Sequence, residues 1–541
     1  MIGRLSMKSH IMQRKSTGQF IRAAVGAGMA MTMTAESDAA PSTDSTADRP
    51  NVLVIIFDQL RHDAFSHRNN PVVKTPNMDR LAAEGIVFNQ ATCASPVCGP
   101  SRAAMLSGCY AYDGKFITRN REITQETPFV MKGIQTVDEL LDQDGYHVEY
   151  RGKWHCGNKH LDVYKSREEM FGHDITVYGE YLKSKGYQRN TADGYLRDVY
   201  TKWTYKAWDV DYMIGEGPKD PEYDIGHGHQ LGVIEVKDED SLTAWTVRKT
   251  LKFLDDAPKK PFAITCSVLQ PHGPLIATEK YANMYNPAEI QLPKNLNSFR
   301  VTRDGKKKPI PERVTYRGAK QFMAMYYGLV KECDDHVGKI LDSLKKNGLE
   351  ENTLVILTAD HGEFLASHNF FGKGEFFEEA FRVPMIMRYP NAIKAGQTTE
   401  SVATGADIGP TILDYCNVTK PEWMHGRSLR GVINGNSDSV EYAYGQIRNE
   451  QCLRSTEWKL VINKGKPQTF INLKEDPLEL ENLLDSEADM DKTAKVKMNE
   501  MLALLQNKYK MVSQNSLNTS KGAGKKKGGK AVGGKKRKKK K

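Results

Sequence analysis

The sequence predicts an α/β fold: a large mixed, mostly parallel sheet sandwiched by helices, with a smaller antiparallel-sheet subdomain at the carboxyl end. Three observations carry that expectation. Residues 51–58 (NVLVIIFD) and 354–360 (LVILTAD) are almost unbroken apolar runs, each ending in a carboxylate. A strand that is apolar at successive positions is buried on both faces, as parallel strands covered by helices are. Far down the chain the pattern becomes short alternating segments at 442–455, 458–463 and 470–483, separated by turn residues, which suits an antiparallel sheet.

Taken in order, the chain opens with Gln13-Arg14-Lys15, a mildly apolar stretch from Phe20, and a small-residue exit at Ser37-Asp38-Ala39-Ala40. This reads as an export signal over 1–40, which sends the protein to the periplasm or outside the cell. Its apolar part is too short and glycine-rich for a membrane-spanning helix. A cytosolic enzyme with a disordered leader is the alternative. A Pro/Ser/Thr/Asp linker covers 41–50, and the first buried strand follows. Thr75-Pro76 opens a helix and Gly85 stops it. Another apolar strand lies at 262–269 (FAITCSVL). The main domain is expected to span 51–418. A small subdomain covers 419–510, and its last stretch, 488–510, reads as an amphipathic helix against the main domain.

With 541 residues and 39% hydrophobic content the chain can bury a large core. Its formal charge is +10, yet the last 21 residues, 521–541, hold twelve Lys/Arg and no acid. The remainder is therefore at −2, and the basic character belongs to the tail. A Gly/Lys sequence cannot form a core, so 511–541 is expected to be disordered. Such a tail suits an anionic polysaccharide or membrane surface, or serves solubility alone. A near-neutral body argues against specific nucleic-acid binding as the main function. The eight cysteines show no metal-type spacing.

The two apolar strands also carry the chemistry. Asp58 has Gln59 beside it, and Asp360 has His361. Open α/β sheets place their ligand sites at the carboxyl ends of strands. Two strands that each deliver a carboxylate and a second donor meet the needs of an oxygen-rich cation site. Taken singly, Asp58 reads as a cap or turn residue and His361 as a satisfied surface histidine.

Cys98-Gly99-Pro100-Ser101-Arg102, followed by AAMLSG, resembles the signature of type I (formylglycine-dependent) sulfatases of the alkaline phosphatase superfamily. The order of motifs matches that family's layout over about residues 50–485. The resemblance implies that a formylglycine-generating maturation enzyme oxidises Cys98 to an aldehyde, whose hydrate is the nucleophile. A geminal diol offers one oxygen to attack and a second to expel sulfate, splitting one hard displacement into two easier steps. It implies a divalent metal held by Asp58, Gln59, Asp360 and His361, with the oxygen of residue 98 completing the shell. Calcium is the expected ion, with manganese or magnesium as rivals because His361 is a softer ligand than an amide.

Three further segments resemble the family: 151–157 (RGKWHCG), 270–274 (QPHGP) and 371–374 (FGKG). By that resemblance Lys153 and Lys373 contact sulfate or the nucleophile, and Arg102 holds the formylglycine oxyanion. His155 takes the proton whose loss ejects sulfate, and His272 with Lys373 helps protonate the departing alkoxide. His368 and Glu375, in the same segment as Lys373, read equally as supporting residues or plain structure. Many sulfatases carry Asp-Asp and Asp-Asn where this chain has Asp58-Gln59 and Asp360-His361. That departure looks more like choline sulfatases and phosphonate monoester hydrolases.

The expected function is hydrolysis of sulfate esters, of sulfated carbohydrate or another alkyl sulfate. A phosphonate monoester or phosphodiester hydrolase with the same nucleophile is the alternative. Residues 160–231 depart from the family pattern and are rich in Tyr and Trp. They read either as a surface for sugar rings or as a locally packed insertion.

Overall fold

Seven strands that run one way and one that runs against them make up the main sheet. The computed structural model describes residues 49–110, 133–157, 160–167, 170–171, 176–187, 231–296, 300–301, 307–308, 316–436, 441–485 and 490–509. The strands are β1 (Asn51–Asp58), β2 (Ile86–Thr92), β3 (His147–Lys153), β4 (Met170–Phe171), β5 (Phe262–Pro271), β6 (Thr353–Ala359), β7 (Met385–Arg388) and β8 (Gln397–Thr404). Their spatial order is β8-β2-β7-β6-β1-β5-β3-β4. Only β7 is antiparallel to its neighbours, β6 and β2. The sheet is mixed and mostly parallel, as the apolar runs predict.

Burial explains why those runs are unbroken. Val52 to Phe57 and Leu354 to Leu357 are all buried, so each strand offers apolar groups to both faces. Helices cover the sheet, among them α1 (Pro76–Ala83), α2 (Cys98–Ser107), α3 (Leu242–Asp255) and α4 (Tyr316–Lys346). Pro76 sits in the first turn of α1, where its missing N–H costs nothing. No helix among the described residues is long and apolar enough to cross a membrane.

The carboxyl-terminal part forms a separate four-stranded antiparallel sheet of β9 (Ala443–Ile447), β10 (Glu450–Arg454), β11 (Trp458–Asn463) and β12 (Lys466–Asn472). The last helix, α5, covers Lys492–Asn507, shorter than the 488–510 expected from periodicity. The Asp491 side chain accepts from Ala494 N at 2.7 Å and so fixes where the helix starts. The small sheet braces the main domain near the strand ends. Gln446 N donates to Ala94 O at 3.0 Å, and Lys459 Nζ donates to Phe376 O at 2.8 Å. Arg454 bridges Gln90 and Glu378.

The described part of the aromatic segment is packed inward. Tyr178 and Tyr181 lie against Trp245, with ring centroids 5.6 and 6.1 Å apart, and Tyr164 meets Trp154 edge-on at 5.6 Å. The leader over 1–40, most of the linker, residues 188–230 and the 511–541 tail lie outside the described residues. All eight cysteines are buried thiols.

Candidate active site

β1 and β6 are parallel neighbours with Phe57 opposite Ala359, so Asp58 and Asp360 emerge side by side from their ends. Asp360 N donates to Phe57 O at 3.2 Å, which extends the ladder by one residue. The β1–β5 register slips between Phe57 and Asp58, and Gln59 takes a positive φ of 68°. A bulky residue in that region is strained, and such strain is characteristic of functional sites. The break lets Asp58 face Cys98 at the start of α2 and Gln59 face Glu363 and Lys373.

Cys98 opens α2 and faces the two aspartates. Its Sγ is 3.2 Å from His361 Nε2 and 3.7 Å from Asp58 Oδ1. His361 Nε2 stands 3.6 Å from Asp58 Oδ1 and 3.5 Å from Asp360 Oδ1. Those separations are long for hydrogen bonds, but they are what ligands sharing one cation show. The donor atoms of Asp58, Cys98, Asp360 and His361 all lie within 4.8 Å of one another, and all four residues are buried. Hard oxygens with one imidazole fit a divalent cation such as calcium, manganese or magnesium.

Arg102 lies one helical turn beyond Cys98, on the same face of α2. It is 1% exposed and donates from Nε to Asp360 at 2.7 Å and from Nη2 to Asp58 at 3.2 Å. Its Nη1 donates to Lys153 O at 2.8 Å and Ser267 Oγ at 2.7 Å. Four of its five N–H groups are thus spent on carboxylates and scaffold, and Tyr150 Oη lies 3.5 Å from Nη1. Its main work is to hold Asp58 and Asp360 in register.

β3 carries Lys153 into the same space, where the ammonium pairs with Asp58. Gly152 makes this possible: its φ is +90°, and a Cβ there would come within 2.0 Å of Ser267 O. His155, also at positive φ, stands beside the Cys98 thiol. His272 follows β5, with Nε2 3.9 Å from Asp58 Oδ1. Lys373 stands between two glycines of positive φ, 81° and 112°, and donates from Nζ to Gln59 Oε1 at 2.7 Å.

The charges act on one another. Burial and the Cys98 sulfur push the Asp58 carboxyl up, but Lys153, His272 and Lys373 outweigh them and hold it well below the usual range. Burial also raises the Cys98 thiol, and Lys153, Lys373, His361 and the His155 hydrogen bond pull it far below an ordinary cysteine. Burial and then Lys373 lower His272, which favours the neutral ring.

The ten residues given catalytic or metal-binding roles from the sequence lie together here. Sequence reasoning missed Glu363. Its carboxylate is buried and accepts from Leu365 N, Gly372 N and Gln59 Nε2. By taking the amide nitrogen of Gln59 it turns Oε1 toward Lys373. It also ties down the loop that presents Lys373. The one signal was its place in Asp360-His361-Gly362-Glu363, three residues from a candidate ligand. His368 belongs to the scaffold: it stacks on Phe377 at 3.9 Å and lies 3.0 Å from the Asn295 amide.

Comparison with known proteins agrees with this layout. The Sulfatase family model matches residues 50–418, and that of N-sulphoglucosamine sulphohydrolase, C-terminal, matches 366–508. An arylsulfatase of Clostridium perfringens is 27% identical over 81% of this chain and 91% of its own length. An N-acetylglucosamine-6-O-sulfatase of Bacteroides thetaiotaomicron is 25% identical over 88% of this chain and 89% of its own. The crystal structure of a phosphonate monoester hydrolase of Agrobacterium radiobacter superposes with a TM-score of 0.68 at 21% identity, covering 85% of this chain and 96% of that one. Since a single family model takes in every strand of the main sheet together with the turn that presents Cys98, the chain belongs to the sulfatase family, as a sulfuric ester hydrolase.

Proposed function

We propose that the protein removes sulfate from carbohydrate esters, with Cys98 converted to formylglycine and one divalent cation held by Asp58, Gln59, Asp360, His361 and residue 98. The observation that carries this reading is the gathering of Lys153, Lys373, His155 and His272 around Cys98 and two buried aspartates. That is an anion site with a nucleophile and two proton carriers. The N-acetylglucosamine-6-O-sulfatase of Bacteroides thetaiotaomicron, similar over most of both chains, supports the carbohydrate class. Calcium is the proposed ion.

A cation bound by those residues would polarise the ester oxygens as a Lewis acid. Lys153 and Lys373 neutralise charge on the sulfate, and Arg102 keeps both aspartates aimed at it. The hydrated aldehyde supplies one hydroxyl to bond sulfur and a second to expel sulfate. Asp360 accepts the proton of the attacking hydroxyl. His272 or Lys373 delivers a proton to the departing alkoxide oxygen as the S–O bond breaks. His155 then removes the proton from the remaining hydroxyl, the C=O bond of the aldehyde re-forms, and sulfate leaves. Water adds to the aldehyde to close the cycle.

Peptide mass analysis of active protein, paired with a desulfation screen across sulfated mono- and oligosaccharides, tests this reading. The expected result is an aldehyde at position 98 and release of sulfate from at least one sugar. Active protein bearing only thiol there refutes the mechanism. Gln59 and His361 favour a second reading, a phosphonate monoester hydrolase, and an aryl phosphonate assayed beside an aryl sulfate separates the two.

Glu363→Gln probes the Gln59 tether. A neutral amide of the same shape no longer fixes the Gln59 amide, so metal affinity falls about 10–100-fold while the fold is kept. Calorimetric titration of metal-stripped protein with calcium and manganese reads this out. Unchanged affinity for both ions refutes the role.

A further inference from the structure

A cavity of about 300 Å³ lies where the end of β8, the start of β9 and the end of α5 come together. None of its lining residues belongs to the site around Cys98. Tyr110, Tyr442 and Tyr509 supply rings, and Arg427, Lys508 and His425 supply nitrogen. The rings are held in place. Tyr509 lies flat on Tyr444 at 4.4 Å with planes 3° apart, and Tyr110 meets Tyr444 edge-on at 5.1 Å. Asp407 is the one acid among the described lining residues, and its oxygens accept from Thr404 N at 2.8 Å and Arg427 N at 3.0 Å. The wall is therefore aromatic and cationic.

The cavity's position is set by the sheet. β8 runs parallel to β2 and, through the one reversed strand, parallel to β1 as well. Thr404, which ends β8, therefore lies at the same end of the sheet as Asp58. Four strand spacings separate them, roughly 20 Å. α2 gives a second measure: Cys98 opens it and Tyr110 lies past its other end, with a ten-residue helix of ~15 Å between. A short run of linked pyranose rings spans such a distance.

We propose that this cavity is a second saccharide site, which takes one sulfated sugar unit of a polymer whose ester is cleaved at residue 98. It rests on the carbohydrate reading above. Its volume is at the lower limit for ligand pockets, room for one ring and its substituent. Tyrosine rings offer flat apolar faces to the C–H face of a pyranose, and Lys508 offers a charge-assisted donor to a sulfate, while Arg427, whose Nη2 donates to Val402 O at 2.9 Å, lends positive charge to the wall. Lys508 is exposed at the rim, whereas the tyrosines beside it are buried, which matches a ligand charged outside and apolar within.

The test uses the full chain carrying Cys98→Ala, which binds without turnover, at one fixed ionic strength so that the tail contributes equally throughout. The probes are a sulfated galactan hexasaccharide and its desulfated counterpart. In calorimetry Lys508→Glu, at the exposed rim, is expected to weaken the sulfated probe about tenfold, and Lys508→Arg to restore it. Tyr442→Ala weakens it by a similar factor, and turnover of a small aryl sulfate by the corresponding Cys98-bearing variants stays unchanged. Equal affinity in wild type, Lys508→Glu and Tyr442→Ala overturns the proposal. Failure of the reading beneath it looks different: wild type desulfates no sugar, yet Lys508→Glu still loses affinity for the sulfated probe.

Discussion

Asp360→Ala is expected to abolish turnover, by about a thousandfold or more, and to leave the protein without tight metal binding. Asp360 accepts from Gln59 N at 3.1 Å and Arg102 Nε at 2.7 Å, and it stands 3.5 Å from His361 Nε2. Removing it takes away one of two carboxylates and strands a buried guanidinium. Breaking a buried ion pair from one side costs about 3–5 kcal/mol, so the unfolding temperature should fall as well. Asp360→Asn separates the two effects. It keeps the shape and an acceptor for Gln59 N, so stability largely returns while metal affinity does not. Thermal unfolding with calorimetric metal titration makes the comparison. Tight metal binding in the alanine protein means that the cation is held elsewhere.

The second large effect divides the two histidines. His155 stands beside Cys98, the residue proposed to form the covalent intermediate, so His155→Ala should attack substrate once and stall. A burst of about one product per enzyme followed by slow turnover is the expected trace. His272 sits 3.9 Å from Asp58, and burial with Lys373 lowers its proton affinity. The negative charge of a bound sulfate ester favours the protonated ring again, which can then give its proton to a departing alkoxide. His272→Ala should therefore slow the first step, more for alkyl than for aryl sulfates, since a phenol leaves without a proton. Pre-steady-state assays on both substrate types decide it. Equal losses for the two esters, or a stalled adduct in His272→Ala alone, reverse the assignments.

The sheet was legible in the chain because unbroken apolar runs such as 52–57 leave few alternatives to a buried strand. The residues that gather around Cys98 were legible because each lies at a strand end or in a short motif around glycine, where local sequence and position coincide. Glu363 was not, since its role depends on reaching Gln59 from the far side of the site. Spacing along the chain says nothing about a contact between residues 304 apart. The extent of α5 was misjudged at its start, where one capping aspartate outweighs periodicity. The second cavity was invisible for a similar reason: Tyr110, Thr404, Arg427, Tyr442 and Tyr509 come from five separate stretches.

That β1 pairs with β6 has a consequence for synthesis. Gln59 and Asp360 touch across 301 residues of chain, so half of the sheet waits for its partner while most of the protein is being made. During that interval β1 can pair with β5 on one side, but its other edge stays open, lined by apolar side chains on both faces. Open apolar edges invite pairing with other chains, and long-range strand pairing is slow. A chain stopped before residue 353 should therefore aggregate, whereas one extended through β6 and the strand beyond it should stay in solution. The two strands that bring the aspartates together are thus also the ones that decide when nascent chains stop being prone to associate.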